Sequence, residues 1–149
     1  MQFIDPTLPV FIKHLSQLDK NKVALWGRMS IQRMIEHLSD SLHLSVNDHK
    51  YTLTIPEDKV QKAQDFLFSE HPMPKNFNVE FATPEMTLRN KSLNSAIEEF
   101  KEAWILFENY FNEDKNRRTL HPNFGRLNYE QWLRLHSKHF THHLQQFGV

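Results

Sequence analysis

Cysteine is absent from this chain, and glycine is nearly so, at three of 149 residues. Without thiols the chain can form neither disulfides nor thiolate metal ligands, which fits a reducing compartment. So little glycine removes phosphate-cradling loops and the GxGxxG fingerprint, and it disfavours a turn-rich all-β fold. Charge of either sign is also missing as a surplus: 18 basic residues balance 18 acidic ones, and no basic block stands out. That balance argues against a nucleic-acid or membrane-surface partner. No apolar run approaches the ~20 residues needed to cross a bilayer. The opening Met1-Gln-Phe-Ile-Asp-Pro-Thr7 has neither a basic n-region nor a long apolar h-region. The expectation is a soluble cytoplasmic protein, with residues 1–149 forming a single domain large enough for its own core.

What is present is helical periodicity. Phe11, Ile12, Leu15 and Leu18 predict a first helix from Pro9 to about Leu18. Ser30 is a candidate N-cap for a second helix, with the stripe Ile31, Met34, Ile35, Leu38, Leu42 and Val46. Tyr51–Ile55 reads as a short extended piece. Pro56, as a first helical residue, predicts a third helix from Glu57 to Ser69. Pro72, Pro74 and Pro84 then break the pattern through a long connection, Glu70 to Lys91, which reads either as a lid or as a crossover wrapping a bundle. A fourth helix, Ser92 to about Asn112, carries the seam Ile97, Phe100, Trp104, Phe107 and Phe111. After a polar stretch and a turn at His121–Gly125, Asn128 with Gln131 forms a capping box that opens the last helix. The expected fold is all-α, a four-helix bundle with an elaborated middle connection.

The last helix also concentrates histidine. His136, His139, His142 and His143 are four of the chain's ten, within eight residues. On a wheel of about 100° per residue, His136, His139 and His143 share the arc of Trp132, Phe140 and Phe147, with His142 on its flank. Inward imidazoles need partners, because burying an unpaired polar ring is costly. An economical partner for two of them at i, i+4 is a metal ion, since those side chains stand about 6 Å apart on one face. His139 with His143 is the favoured pair, and His136 with His139 the alternative. His136 and His143 are roughly 10.5 Å apart along the axis, too far to share one ion. The third ligand must come from another helix. His37, at the margin of the second helix's apolar stripe, is the best donor. His43 faces the polar side, His14 fits core or surface, and His49 and His71 lie in connections. Glu36 falls about 100° from His37 and is expected to face outward, a poor general base.

Trp26-Gly-Arg-Met-Ser30, Met34-Ile-Glu-His37-Leu38, His121-Pro-Asn-Phe-Gly-Arg-Leu-Asn-Tyr-Glu-Gln-Trp132 and the terminal His139-x-x-His142-His143-x-x-Gln146 resemble the DinB-like metal-binding four-helix bundles, in particular an uncharacterised branch of them. The resemblance covers most of the chain and is weakest between Asp48 and Lys91. It implies a divalent ion held by one histidine of the second helix and an i, i+4 pair of the last, roles that fall on His37, His139 and His143. It also implies, by analogy with characterised relatives, thiol-dependent transfer or isomerisation using low-molecular-weight thiols, and no DNA binding.

Three neutral imidazoles leave the ion its full charge and at least one open position. Such a centre supports a metal-bound hydroxide for hydrolysis or an activated external thiolate. Zinc or nickel is the first expectation, with iron, manganese or copper behind them. His121, held beside Pro122, is a candidate pocket residue, and Gln146 a candidate hydrogen-bond partner for a ligand histidine. His136 and His142 read as packing or supporting residues. The leading function is a metal-dependent thiol S-transferase or hydrolase acting on a small molecule. Its rivals are a non-catalytic metal-stabilised module, and a metal-free bundle with a homodimer interface.

Overall fold

The computed structural model describes residues 2–75 and 87–149. They form five α-helices, one 3-10 turn and a two-stranded hairpin, so the fold is mostly helical but not purely so. Part of the connection expected as a lid or crossover, Glu70–Lys91, lies outside the described residues. No helix among the described residues is long and apolar enough to cross a membrane.

Helix α1 (Leu8–Ser16) starts with proline in its first turn and buries Phe11 and Leu15. It ends two residues before Leu18, which is still buried in the core. Helix α2 (Ile31–Ser45) is capped as expected, with Ser30 Oγ accepting from Arg33 N at 3.1 Å. Pro56 opens a 3-10 turn, Glu57–Lys59, that runs into α3 (Val60–Phe68); only Leu67 of α3 is fully buried. Helix α4 (Leu93–Glu113) buries its whole predicted seam, Ile97, Phe100, Trp104, Phe107 and Phe111. Helix α5 (Tyr129–Gln146) begins with the reciprocal box: Gln131 N donates to Asn128 Oδ1 and Asn128 N to Gln131 Oε1, both at 2.9 Å.

The departure from an all-helical chain is β1 (Thr119–His121) paired antiparallel with β2 (Gly125–Leu127), with His121 opposite Gly125. Gly125 has φ +75°, and a Cβ there would lie 2.7 Å from Val60 Cγ1. Left-handed backbone and close approach to α3 both call for glycine, which closes the three-residue turn. Thr119 Oγ1 donates to Ser45 O (2.6 Å) and accepts from Trp132 Nε1 (2.8 Å), so β1 ties the end of α2 to α5. Tyr51–Ile55, read as extended, forms no strand; Thr54 N donates instead to Pro122 O in the hairpin turn at 2.8 Å.

One contiguous cluster of buried apolar residues draws on all five helices and on Leu127 of β2. Helix α2 packs on α4 and α5, α1 on α4, and α3 on α5. The interior is aromatic: Phe11 stacks on Phe140 at 4.1 Å between ring centroids and meets Trp104 edge-on at 5.0 Å. Each such ring contributes about 1.5–3 kcal/mol through its burial. Lys138 of α5 is also buried. Its ammonium donates to Ser69 O (2.7 Å) and His71 O (2.5 Å) just past α3, under the rings of Phe3 and Phe66. These contacts fix α5 lengthwise against α3, and α5 carries most of the site's histidines.

Candidate metal centre

Helices α2 and α5 bring His37, His139 and His143 together, with their ligand nitrogens all within 4.8 Å of one another. His139 Nε2 stands 2.9 Å from His37 Nε2 and 3.0 Å from His143 Nε2. A helical turn sets the pair on α5, and the α2–α5 packing supplies the third ring. Among the described residues this is the grouping of histidine and carboxylate side chains that can hold a metal ion. The alternative pairing of His136 with His139 does not form the cluster. His136 turns into the core, stacked on Trp132 (5.6 Å) and edge-on to Phe107 (5.0 Å).

Burial keeps these rings neutral. Desolvation, reinforced by the neighbouring histidines, holds His37 and His139 well below the ordinary imidazole range. Desolvation brings His143 down to about 4, against a raising contribution from its bond to Gln146. Neutral imidazole is the form that ligates metals.

The bond to Gln146 also selects a tautomer. Gln146 Nε2 donates to Trp26 O at 2.9 Å, which leaves Gln146 Oε1 as the acceptor 2.8 Å from His143 Nδ1. His143 Nδ1 therefore carries the proton, and its Nε2 lone pair points into the cluster. Neutral rings cannot satisfy the three converging Nε2 atoms among themselves. If His139 Nε2 holds a proton, it can serve one neighbour well; if it does not, it faces His143 lone pair to lone pair. A cation resolves this conflict. A tetrahedral ion with Zn–N near 2.0–2.1 Å would space the nitrogens about 3.3 Å apart, a few tenths of an ångström beyond the two separations from His139 and inside the 4.8 Å that bounds all three. The donor set fits zinc, nickel, iron or copper. His37 Nδ1 is buried without a hydrogen-bond partner among the described residues, so His37 lacks the support that Gln146 gives His143.

The other histidines stand apart. His121 accepts from Asn123 N through Nδ1 at 3.0 Å and packs on Phe124 and Trp132, and burial pushes it down to about 3. His136 is likewise pushed down to about 3, by burial and then by His121, and its Nε2 has no partner among the described residues. His142 is half-buried; its ring lies 5.1 Å from that of His143 and 5.8 Å from Trp26, and it bonds the backbone of Met73. His43, His49 and His71 are exposed, and His14 is half-buried.

Glu36 does not face solvent as expected; it is 0% exposed. It points away from His37, beneath residues 89–90, and accepts from Arg89 N (3.1 Å), Asn90 N (2.8 Å) and Asn90 Nδ2 (3.1 Å). Those bonds lower its pKa against the opposing effect of burial. Glu36 lies on a face of α2 that a connecting segment covers, and helical periodicity carries no information about such cover. The same holds for Trp26 and Lys75, which reach the site from loops. Gly27, next to Trp26, has φ +76°, and a Cβ there would come within 2.8 Å of Gln146 Nε2. A glycine after a tryptophan, in a chain with so few, is the one local signal of that close approach.

The fold and the cluster define a mostly helical protein with a three-histidine grouping able to hold a metal ion. The chain belongs to the family described as a protein of unknown function, DUF1569, which it matches over residues 6–148. That span includes every histidine considered above, along with Trp26, Lys75 and Gln146. Comparisons with curated proteins and with solved structures give no match.

Proposed function

We propose that His37, His139 and His143 hold one divalent ion, zinc or nickel first, and that the protein is a metal-dependent thiol S-transferase or hydrolase acting on a small molecule. The observation that carries this reading is the convergence of three neutral imidazole Nε2 atoms from two helices, with no carboxylate in the group. An ion held this way keeps its full charge and an open position, from which it supplies either a lowered pKa for bound water or activation of a thiol. The chain's own part is to orient and to exclude water. Gln146 fixes the His143 tautomer, and Trp26 O fixes Gln146. On the core side Leu38, Leu42, Phe100 and Trp104 wall off His139. The motif resemblance to DinB-like four-helix bundles supports the same ligand triad and the thiol chemistry.

The test is to screen metal-loaded protein against electrophilic substrates with several low-molecular-weight thiols, beside a panel of esters and amides. Activity should vanish in His143→Ala. Turnover that survives in that variant would show that the cluster does not carry the chemistry. The burial of His37 (7% exposed) and His143 (6% exposed) supports a second reading, a non-catalytic metal-stabilised module. A closed coordination sphere with no exchangeable ligand would favour it.

A further inference from the structure

The two sides of the histidine cluster are chemically unlike. Toward the core, the cavity beside His139 is apolar, about 10 Å³ of room for a water's centre, and His136 is the other polar side chain lining it. Toward the surface stand His142, half-buried beside His143, then the half-buried indole of Trp26, then exposed Lys75 with its ammonium 4.2 Å above the Trp26 ring. The backbone at Trp26 is anchored twice, since Leu25 N donates to Gln146 O at 2.7 Å and Trp26 O accepts from Gln146 Nε2 at 2.9 Å. The backbone that carries the indole is therefore tied to the residue that orients His143.

Charge is unlike as well. The cluster's three ligands are neutral, so a bound divalent ion meets no compensating carboxylate in its own shell. The nearest acid in sequence, Glu36, is turned away under Arg89 and Asn90. Asp40 is engaged with Arg33 and Arg89. Lys75 has no carboxylate within ion-pair distance among the described residues, and its ammonium lies over the Trp26 ring. Ion and ammonium thus form two positive centres separated by aromatic rings, an arrangement that selects negative charge.

We propose that the small molecule taken by this centre is an acid of two functions. Its donor atom occupies the open metal position, its apolar body lies along Trp26 past His142, and its second, anionic group pairs with Lys75. This rests on the metal reading and adds the substrate class. Lys75 and Trp26 are recognition residues here, and the metal ligands are separate from them.

Cobalt(II) substitution separates the two ideas. The d–d bands report the histidine site, and a thiolate-to-cobalt charge-transfer band reports the open position. The probes are three thiols of equal chain length, 6-mercaptohexanoate, 6-mercaptohexanol and 6-aminohexanethiol. The carboxylate should bind most tightly. An exposed ion pair worth up to about 1 kcal/mol amounts to roughly a fivefold preference that depends on Lys75. Lys75→Glu should cut the carboxylate-to-amine ratio by at least that factor while leaving the d–d bands unchanged. Trp26→Ala, which keeps the backbone carbonyl that holds Gln146, should weaken all three thiols alike. An unchanged ratio in Lys75→Glu, with normal d–d and charge-transfer bands, overturns this inference and leaves the metal reading standing. Absence of the d–d bands in wild-type protein overturns both.

Discussion

Gln146 and His143 are joined by a 2.8 Å hydrogen bond whose direction is set from outside, because the other end of the Gln146 amide is committed to Trp26 O. A glutamine three residues beyond a histidine on the same helix thereby decides which ring nitrogen faces the cluster. Partners of this kind typically alter metal affinity by 10–100-fold when removed. Gln146→Ala should weaken zinc binding by about that factor, measured by competition with a chromophoric chelator. Affinity within threefold of wild type would mean that the amide only packs.

Metal should also stabilise the fold, since an ion that binds the native chain and not the unfolded one shifts the equilibrium by mass action. At a hundredfold excess over Kd the gain is about 2.7 kcal/mol, which for a chain of this size is roughly 5–10 °C in Tm. Thermal unfolding with zinc and with chelator measures it, after metal removal has been confirmed. Identical midpoints would count against a site linking α2 to α5.

His121 and His136 predict an acid sensitivity independent of metal. Burial pushes both down to about 3, whereas in the unfolded chain they titrate near ~6.5. The unfolded state therefore takes up protons first as pH falls. Stability is complete above pH ~6.5 and declines through the window from ~6.5 to ~3, by about 1 kcal/mol per pH unit for each ring. Urea unfolding in chelator at pH 7.5 and pH 5 should show the loss, and His136→Phe should shrink it. His136 lies among Trp104, Phe107 and Trp132, which suit a phenyl ring. A His136→Phe protein with the same pH dependence as wild type would show that this ring does not titrate as argued.

Glu36→Gln should destabilise the chain by about 1–3 kcal/mol, the cost of weakening charged acceptance by a buried group. Metal affinity should not change, because the carboxylate faces Arg89 and Asn90. Chemical denaturation beside a zinc titration checks both halves. A large change in zinc affinity would place Glu36 in the site after all.

Much of this could be read from the sequence where one helix face governs the outcome. The α4 seam, the Ser30 cap and the Asn128–Gln131 box follow from local spacing and appear as expected. His139 and His143 followed from i, i+4 geometry, and His37 from its place beside the α2 stripe. What periodicity missed depends on segments that fold back from elsewhere. Thr119–Leu127 is too short to show a strand's alternation, and its pairing rests on Gly125. Glu36 is covered by residues 89–90, and Trp26 and Lys75 enter from loops.

The most direct test of the central claim is metal analysis of protein purified without a histidine tag or nickel resin, for wild type, His37→Ala, His139→Ala and His136→Ala. Wild type and His136→Ala should each carry about one divalent ion per chain, and the other two should lose it. Full occupancy in His37→Ala or His139→Ala, or an ion lost with His136, would contradict it.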